Sequence, residues 1–512
     1  MKFNALKIVR VVLALLFFFP ILLFFCDFAG ITPNVFRFFP KIQFIPAFLA
    51  GHFGFIIGLI IFTFLFGRIY CSVICPLGVF QDIISRFAQR GKKKNKKKRW
   101  YHYHKPYNKV RYTLLTVCVI FLIFGITTPL LFLDPYSNFG RIAVNIFRPA
   151  VMEGNNLLNW IALQFNQYHF YYVTIYTVTI ASFLIASVAL LTVGILSFLR
   201  GRLFCNAICP VGSLLGFFSK YAIFRVSIDE SKCNHCGLCE KSCKSECINS
   251  KEQFVDLSRC VDCFNCLERC NKQKAIGYRF YKKRITEEST GMTRRSFLLT
   301  STAVATTVPF IPAWGKGRKE IDVTKLLPIT PPGSVSLTHF KEKCTACHLC
   351  ITHCPQQILK PAGFNFGLEY AFKPHLVFYE MAFCNYNCTI CSKICPNEAI
   401  QFLTEEEKKT TQIGVAQFDK NKCIVFTENT SCGACSEHCP VQAVKMEIYK
   451  DGLTLPHVYE ELCIGCGGCE SICPVRPIKA INILANEVHK KAQKPPQEEV
   501  EQIDTNELDF GF

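Results

Sequence analysis

Four long apolar runs, almost free of charge, dominate the first 200 positions of the chain. They cover residues 11–28, 45–66, 113–133 and 172–199. About 18–25 apolar residues are enough for a helix to cross the hydrocarbon core of a membrane. The pattern therefore predicts a membrane module of four helical spans within residues 1–222.

Beyond this module, short apolar pieces alternate with groups of cysteines. The chain has 31 cysteines in 512 residues, and 24 of them form six quartets. Four quartets follow C-x2-C-x2-C-x3-C: Cys233, Cys236, Cys239, Cys243; Cys260, Cys263, Cys266, Cys270; Cys344, Cys347, Cys350, Cys354; and Cys463, Cys466, Cys469, Cys473. Two have a longer first interval: Cys384, Cys388, Cys391, Cys395; and Cys423, Cys432, Cys435, Cys439.

The spacing of the quartets predicts about six [4Fe–4S] clusters. Three thiolates at steps of three residues hold one cluster, and the fourth usually ligates the neighbouring cluster of a pair. Zinc sites instead pair two short knuckles across a longer gap, and neighbouring cysteines in one loop are poorly placed for disulfides. By the crossing rule, one cluster takes Cys233, Cys236, Cys239 and Cys270, and the next takes Cys260, Cys263, Cys266 and Cys243, with Cys247 as a rival for Cys243.

Apolar dipeptides after several quartets, such as Ala399-Ile400 and Ala443-Val444, predict the short helices and strands of ferredoxin halves. The predicted fold is multidomain: an α-helical membrane four-helix module plus α+β ferredoxin-like domains. A two-cluster domain is expected at 223–284 and a four-cluster domain at 336–490. A linker at 285–335 joins them, and the polar tail at 491–512 is expected to be disordered.

Basic residues are concentrated before the first run and between the second and third, where residues 92–99 are nearly all Lys or Arg. Short loops rich in Lys and Arg stay on the cytoplasmic side. We therefore expect a multi-pass protein of a bacterial cytoplasmic membrane, with the two-cluster domain in the cytoplasm. The basic run is interpreted as a topology signal that also contacts anionic lipid, and the negative charge of thiolate-bound clusters offsets part of the formal +20, so no nucleic-acid partner is expected.

An internal repeat ends the second and fourth runs: GRIYCSVICP at 67–76 and GRLFCNAICP at 201–210. Its cysteines, Cys71, Cys75, Cys205 and Cys209, are candidate ligands of one metal or candidate redox-active dithiols. The structural alternative is that these Cys and Pro residues only determine how the chain leaves the ends of the two helices.

Residues 1–285 combine three features: these repeats, the segment LDPYS at 133–137 and the first two quartets. With these features, this part of the chain resembles the NapH type of membrane iron–sulfur protein. The resemblance implies quinol oxidation beside a periplasmic nitrate reductase. A quinol site needs a proton acceptor near a membrane surface, and His52, Asp27 and Asp134 are candidates. Each is also explained as an interfacial polar residue.

The linker contains TRRSFLL at 293–299, which resembles a twin-arginine export signal. The apolar stretch at 297–312 completes such a signal or forms a fifth span. Bare thiols delivered to an oxidising periplasm would be oxidised, so a domain with clusters has to be exported folded. The four-cluster domain is therefore expected in the periplasm.

Residues 336–490, with four Cys-Pro endings and two irregular quartets, resemble the MauM/NapG type of four-cluster ferredoxin. That resemblance implies that the outer motifs pair with each other, as do the inner ones. The implied sets are Cys344, Cys347, Cys350 with Cys473; Cys463, Cys466, Cys469 with Cys354; Cys384, Cys388, Cys391 with Cys439; and Cys423, Cys432, Cys435 with Cys395.

The predicted function is electron transfer from membrane quinol to a periplasmic redox enzyme or cytochrome, as a component of a quinol dehydrogenase system. Lipid and the quinone pool are the other expected partners. Two alternatives remain: an assembly factor for a respiratory metalloenzyme, and a transmembrane redox sensor. About 30 Å of hydrocarbon separates the two predicted ferredoxin domains, and the sequence leaves the link between them open.

Overall fold

The computed structural model describes residues 5–89, 101–175, 179–270, 274–280, 327–379 and 381–494. The segments at 293–299 and 297–312, the basic run at 92–99 and the tail from 495 lie outside these residues.

The apolar runs fold as helices, but two of the four are interrupted. The helices of this module are α1 (Ala5–Cys26), α2 (Phe38–Lys41), α3 (Phe44–Leu49), α4 (Phe53–Phe66), α5 (Ile69–Val73), α6 (Pro76–Gln89), α7 (Asn108–Ile123), α8 (Thr128–Leu133), α9 (Pro135–Ile142), α10 (Arg148–Gln164), α11 (Ile180–Arg200) and α12 (Pro210–Ser219). π-Helical turns occupy Ala143–Phe147 and Phe204–Ile208.

By length and composition, α1 and α11 are the two helices of the described chain that are able to cross a membrane. The second run is divided between α3 and α4, and the third between α7 and α8. Gly51 and Gly125 lie at these breaks with φ of 84° and 71°, a left-handed conformation that ends a helix. The second and third runs, each expected to form one span, are thus each divided into two helices.

A first ferredoxin unit, residues 223–280, follows this module. It consists of β1 (Phe224–Ile228), α13 (Leu238–Lys241), β2 (Ile248–Asn249), β3 (Phe254–Val255), α14 (Asn265–Arg269) and β4 (Ile276–Phe280). The outer strands β1 and β4 pair antiparallel, with Phe224 opposite Phe280, and β2 and β3 form an inner hairpin.

The C-terminal ferredoxin unit, residues 327–494, contains two further pairs of motifs. Its elements are α15 (Leu337–Lys343), α16 (Leu349–Thr352), β5 (Leu359–Pro361), β6 (Pro374–Leu376), α17 (Ile390–Ile394), α18 (Glu405–Lys409), β7 (Thr411–Phe418), α19 (Ile424–Thr427), α20 (Ala434–Glu437), β8 (Val444–Ile448), β9 (Thr454–Val458), α21 (Gly468–Ile472) and β10 (Ile481–Lys491). The outer pair β7–β10 and the inner hairpin β8–β9 repeat the layout of the first unit.

The two ferredoxin units contact opposite ends of α1. Near the start of this helix, Lys7 forms an ion pair with Glu268 of the first unit. Near its end, the ring of Phe24 lies 4.4 Å from the ring of His353 in the C-terminal unit. A helix of 22 residues is about 33 Å long, close to the thickness of a hydrocarbon core. Clusters in the two units would therefore be separated by the full length of the helical module.

Large apolar side chains remain exposed on the helices between the two units. Val12 and Leu16 of α1, Ile57 of α4 and Leu191 of α11 are each more than half exposed. Large exposed apolar surfaces mark contacts with lipid or with other proteins. Their position between the two units fits a membrane-facing belt.

Candidate metal centres

The four regular cysteine loops share one backbone conformation. In each loop, the residues on both sides of the second cysteine have a positive φ, between 48° and 81°. These residues are His235 and Gly237, Asp262 and Phe264, Ala346 and His348, and Gly465 and Gly467. Left-handed residues in such loops turn successive N–H groups toward one point and form an anion-binding nest. The loops therefore fit an anionic cluster held by thiolates.

The cysteines of the first ferredoxin unit meet in the two predicted sets. One set lines a single cavity: Cys233, Cys236, Cys239 and Cys270. In the other, the thiol of Cys266 lies close enough to the thiols of Cys263, Cys260 and Cys243 to interact with them electrostatically. The fourth cysteine of each motif thus crosses to the neighbouring set.

Cys247 is a hydrogen-bond partner of this second set. Its Sγ lies 3.4 Å from the Sγ of Cys243. Hydrogen bonding with Cys247 lowers the pKa of the Cys243 thiol. Cys243 also interacts electrostatically with Cys266, so it stands with the second set, and Cys247 hydrogen-bonds to it.

The cysteine sets of the C-terminal unit differ from those implied by the resemblance. Two sets line cavities: Cys354 with Cys384, Cys388, Cys391; and Cys473 with Cys423, Cys432, Cys435. Two more lie within electrostatic reach of each other: Cys395 with Cys344, Cys347, Cys350; and Cys439 with Cys463, Cys466, Cys469. All four crossing partners are therefore corrected. Motifs consecutive in the chain pair with each other, which closes shorter loops than an outer-with-outer arrangement.

The four sets of the C-terminal unit are neighbours in series. Cys350 of the first set lies within reach of Cys391 in the second. The backbone N–H of Cys384 donates to the carbonyl of Cys466 at 2.9 Å, which joins the second set to the third. Cys469 of the third set lies within reach of Cys435 in the fourth.

The two C-x3-C-P repeats have equivalent backbone geometry. Gly67 and Gly201, which begin them, have φ of 80° and 65°. In both repeats the second cysteine N–H donates to a carbonyl five residues back: Cys75 to Tyr70 and Cys209 to Phe204, each at 3.0 Å. π-Type turns of this kind occur frequently at functional sites.

Each repeat extends its arginine to the other. Arg68 Nη2 donates to the carbonyl of Cys205 at 3.4 Å, and Arg202 Nη1 donates to the carbonyl of Cys71 at 2.6 Å. Both guanidinium groups lie against the Pro-x-Gly turn of the opposite repeat, close to where a glycine Cβ would be. The repeats are thus interlocked, with both arginines fully buried.

The four thiols of the repeats are buried and lie near one another. Cys75 is within electrostatic reach of Cys71 and Cys205, and Cys209 is within reach of the other three. In the described part of the chain, no three Cys, His, Asp or Glu side chains converge tightly enough for one metal ion.

The three candidate proton acceptors do not converge. Asp27 accepts hydrogen bonds from Gly30 N at 2.8 Å and from Thr32, and Asp134 caps α9 through Ser137. His52 is half exposed, with Nε2 3.8 Å from Glu398 of the C-terminal unit. The two carboxylates are thus engaged in local structure, whereas His52 is accessible.

Asp82 in α6 was not predicted from the sequence. Its carboxylate contacts Arg10 and lies 2.6 Å from Arg202 and 2.5 Å from Lys244 of the first ferredoxin unit. One acidic residue on an amphipathic helix gives little signal in sequence. Arg68 and Arg202, in contrast, stand in the repeated motif, where the repetition itself was the available signal.

Family models match three parts of the chain. A 4Fe-4S binding domain matches residues 48–95 and 182–228, which contain the two C-x3-C-P repeats. A second 4Fe-4S binding domain matches 226–249, and a 4Fe-4S dicluster domain matches 383–443 and 430–477. The chain is an iron–sulfur protein. Its ferredoxin domains are of the kind that transfers electrons.

Three curated relatives are similar to parts of the chain. The chain is 37% identical over 94 residues to an uncharacterised protein of Methanocaldococcus jannaschii, covering 18% of this chain and 37% of the relative. It is 29% identical over 146 residues to the ferredoxin-type protein NapG of Escherichia coli, covering 27% and 62%. It is 28% identical over 88 residues to the putative electron transport protein YccM of Escherichia coli, covering 17% and 25%.

Each of these matches covers less than two thirds of the relative's length. No solved structure matches the chain.

Proposed function

We propose that the chain is a membrane-bound electron-transfer protein, a NapH-type module joined to a NapG-type ferredoxin, with about six [4Fe–4S] clusters. It carries electrons from membrane quinol toward a periplasmic reductase or cytochrome. The observation that supports this function best is the placement of the ferredoxin units at opposite ends of α1. A soluble ferredoxin has no use for an apolar module between its units.

The chemistry assigns separate tasks to cysteines and to a base. Oxidation of quinol releases two electrons and two protons, and a [4Fe–4S] cluster accepts one electron at a time. The cysteine sets hold and orient the clusters, and a nearby side chain must take the protons. Among the three candidates, His52 has the accessible side chain and is the proposed acceptor.

The test uses membranes that contain the full chain. A reporter that is active only outside the cytoplasm is fused to the C-terminus, and cluster reduction by added quinol is followed by EPR. We expect an active reporter and quinol-dependent reduced-cluster signals. An inactive reporter, or clusters that quinol does not reduce, would contradict the proposal. Intact quinol oxidation with a partner enzyme that lacks its metal would instead favour the assembly factor.

A further inference from the structure

The C-terminal ferredoxin unit buries two lysines. Lys373 and Lys408 are 2% and 3% exposed, and among the described residues no other lysine or arginine of this unit is buried. Both ammonium groups donate to neutral oxygens. A buried charge is costly unless an opposite charge compensates it. The groups that surround each ammonium therefore indicate what the lysine does.

Lys373 lies beside the first cysteine set of the unit. It directly precedes β6, and its Nζ donates to the carbonyl of Lys341 and to Thr127 Oγ1 at 3.2 Å. The same hydroxyl donates to the carbonyl of Cys344 at 3.5 Å, and the ammonium interacts electrostatically with the Cys344 thiol. Burial lowers the pKa of Lys373 to about 8, so the side chain stays protonated at neutral pH.

Other charged groups around the first set leave this positive charge in excess. Asp134 and Arg141 of the module both interact with a thiol of the set and with each other, so their contributions largely cancel. Glu342 and Glu369 interact with Lys373, but both are exposed. Water screens an exposed charge much more than a buried one. One buried positive charge therefore remains at this set.

Lys408 lies in an equivalent position at the second set. It belongs to α18, and its Nζ donates to the two backbone carbonyls that follow Cys384, at 2.6 and 3.0 Å. The ammonium also interacts electrostatically with the thiols of Cys384 and Cys391. The half-buried Lys360 interacts with Cys354, the remaining partner from the neighbouring motif. The second set is thus also next to buried positive charge.

The third and fourth sets have different charged neighbours. Lys479 donates to the carbonyl of Glu470 at 2.7 Å, but it is half-buried and interacts with the carboxylate of the same residue. Glu460 interacts with a thiol of the third set and Arg476 donates to a carbonyl of the fourth, and both are exposed. Among the described residues after 410, no lysine or arginine is buried.

Backbone donors do not distinguish the four sets. N–H groups hydrogen-bond to a cysteine sulfur in each of them, at Cys395, Cys354, Cys463 and Cys423. A reduced cluster carries one more negative charge than an oxidised one, so a buried cation stabilises the reduced form and raises the midpoint potential. The buried lysines are therefore the difference that orders the potentials.

The two sets with buried lysines lie at the module end of the series. Gly140 of α9 lies against the carbonyl of Cys347 in the first set, where any Cβ would collide. Cys350 of this set interacts electrostatically with Cys391 of the second. Electrons that enter from the module would therefore reach these two sets before the third and fourth.

We propose that Lys373 and Lys408 make the first and second sets the high-potential pair of the C-terminal unit, and that this pair receives the two electrons of one quinol. The inference rests on the proposed function, because quinol supplies the electrons. Oxidation of one quinol releases two electrons and two protons. Each of the two sets takes one electron, no covalent bond of the chain forms or breaks, and the protons leave with the base that accepts them.

The test is a redox titration of the full chain in detergent at pH 7, with soluble mediators and EPR detection. Lys408→Met removes the charge at the second set. Lys409→Met is the matched control, because this adjacent residue of α18 pairs with the exposed Glu405. At a fixed potential, we expect Lys408→Met to lower the ratio of reduced to oxidised cluster about tenfold for one signal. Lys373→Met should do so for a different signal, and Lys409→Met for none.

Two further variants separate charge from packing and cover a methionine variant that does not fold. Lys408→Gln keeps a donor for the backbone carbonyls and should lower the same midpoint potential, because the charge is gone. Lys408→Arg keeps the charge and should leave the potential near that of the unaltered chain. An equal decrease in the Gln and Arg variants would show that packing is responsible, and the proposal would be wrong.

The outcomes separate this proposal from the proposed function. Unchanged potentials in Lys373→Met and Lys408→Met, with full iron content, overturn the proposal whether or not quinol reduces the clusters. If the two signals that shift are the last to be reduced in the unaltered chain, the role as first acceptors is wrong. If the potentials shift as expected but quinol reduces no cluster in membranes, the proposed function fails, and the order of reduction set by the lysines stands.

Discussion

The two ferredoxin units contact the helical module through different chemistry. The first is held by buried charged groups. Lys244 forms an ion pair with Asp82, and Arg111 donates to the carbonyl of Ser258 at 2.9 Å. The C-terminal unit is held by close packing, such as Gly140 against Cys347, and by buried cations that donate to neutral acceptors, such as Arg148 Nη2 to the Thr352 carbonyl at 3.0 Å. The first unit therefore depends on a buried ion-pair network, whereas the second depends more on shape.

Loss of the shared carboxylate should have the largest effect. Asp82→Asn leaves three buried cations without their counter-ion, and removing one partner of a buried ion pair costs about 3–5 kcal/mol. We expect a lower unfolding temperature in detergent and loss of the EPR signals of the first unit. Retention of both would show that charge does not hold this unit.

A methyl group at the second interface should have a smaller effect. Gly140→Ala places a Cβ against the Cys347 carbonyl and Phe25, and overpacking of this kind costs about 1–3 kcal/mol. Gly154→Ala in α10 is the matched control, because nothing lies within 4 Å of its Cβ. Proteolysis of the C-terminal unit should accelerate only in Gly140→Ala. Equal protection of both variants would contradict tight packing.

The aromatic contact at the end of α1 should contribute less. Phe24→Leu keeps an apolar side chain but removes the ring pair with His353, which is worth about 0.5–1.5 kcal/mol. A small decrease in the denaturant midpoint of the C-terminal unit is expected, with the first unit unaffected. Equal decreases in both units would mean that they unfold together.

A surface ion pair should matter least. Lys341 Nζ lies 2.7 Å from Glu369, whose side chain is 59% exposed, and exposed pairs contribute about 0–1 kcal/mol. Glu369→Gln should therefore leave unfolding and EPR signals nearly unchanged at physiological salt. Both residues belong to the C-terminal unit, so this pair is a control outside the two interfaces. A loss comparable to that of Asp82→Asn would show that exposed pairs matter as much as the buried network.

Local spacing predicted the cysteine sets of the first unit, because the crossing joins two neighbouring motifs. The same rule, applied to neighbours, would have placed Cys354 and Cys395 correctly; the family resemblance led to the outer-with-outer arrangement instead. The helix breaks at Gly51 and Gly125 were missed because the high hydropathy continues across both glycines, and hydropathy does not report backbone conformation. Asp82 was not predictable, since its partners come from three distant parts of the chain.

The loop with two glycines, at 463–469, has a consequence for maturation of the protein. A Cβ at Gly465 would collide with the backbone of Gly414 in β7, and one at Gly467 with the ring of Phe378. Because chain packs tightly on both sides, this loop leaves little room for a cluster to enter once β7 and the Phe378 segment have closed over it. We therefore expect iron loading to precede the final folding step of the C-terminal unit, and oxygen to destroy this centre later than its neighbours.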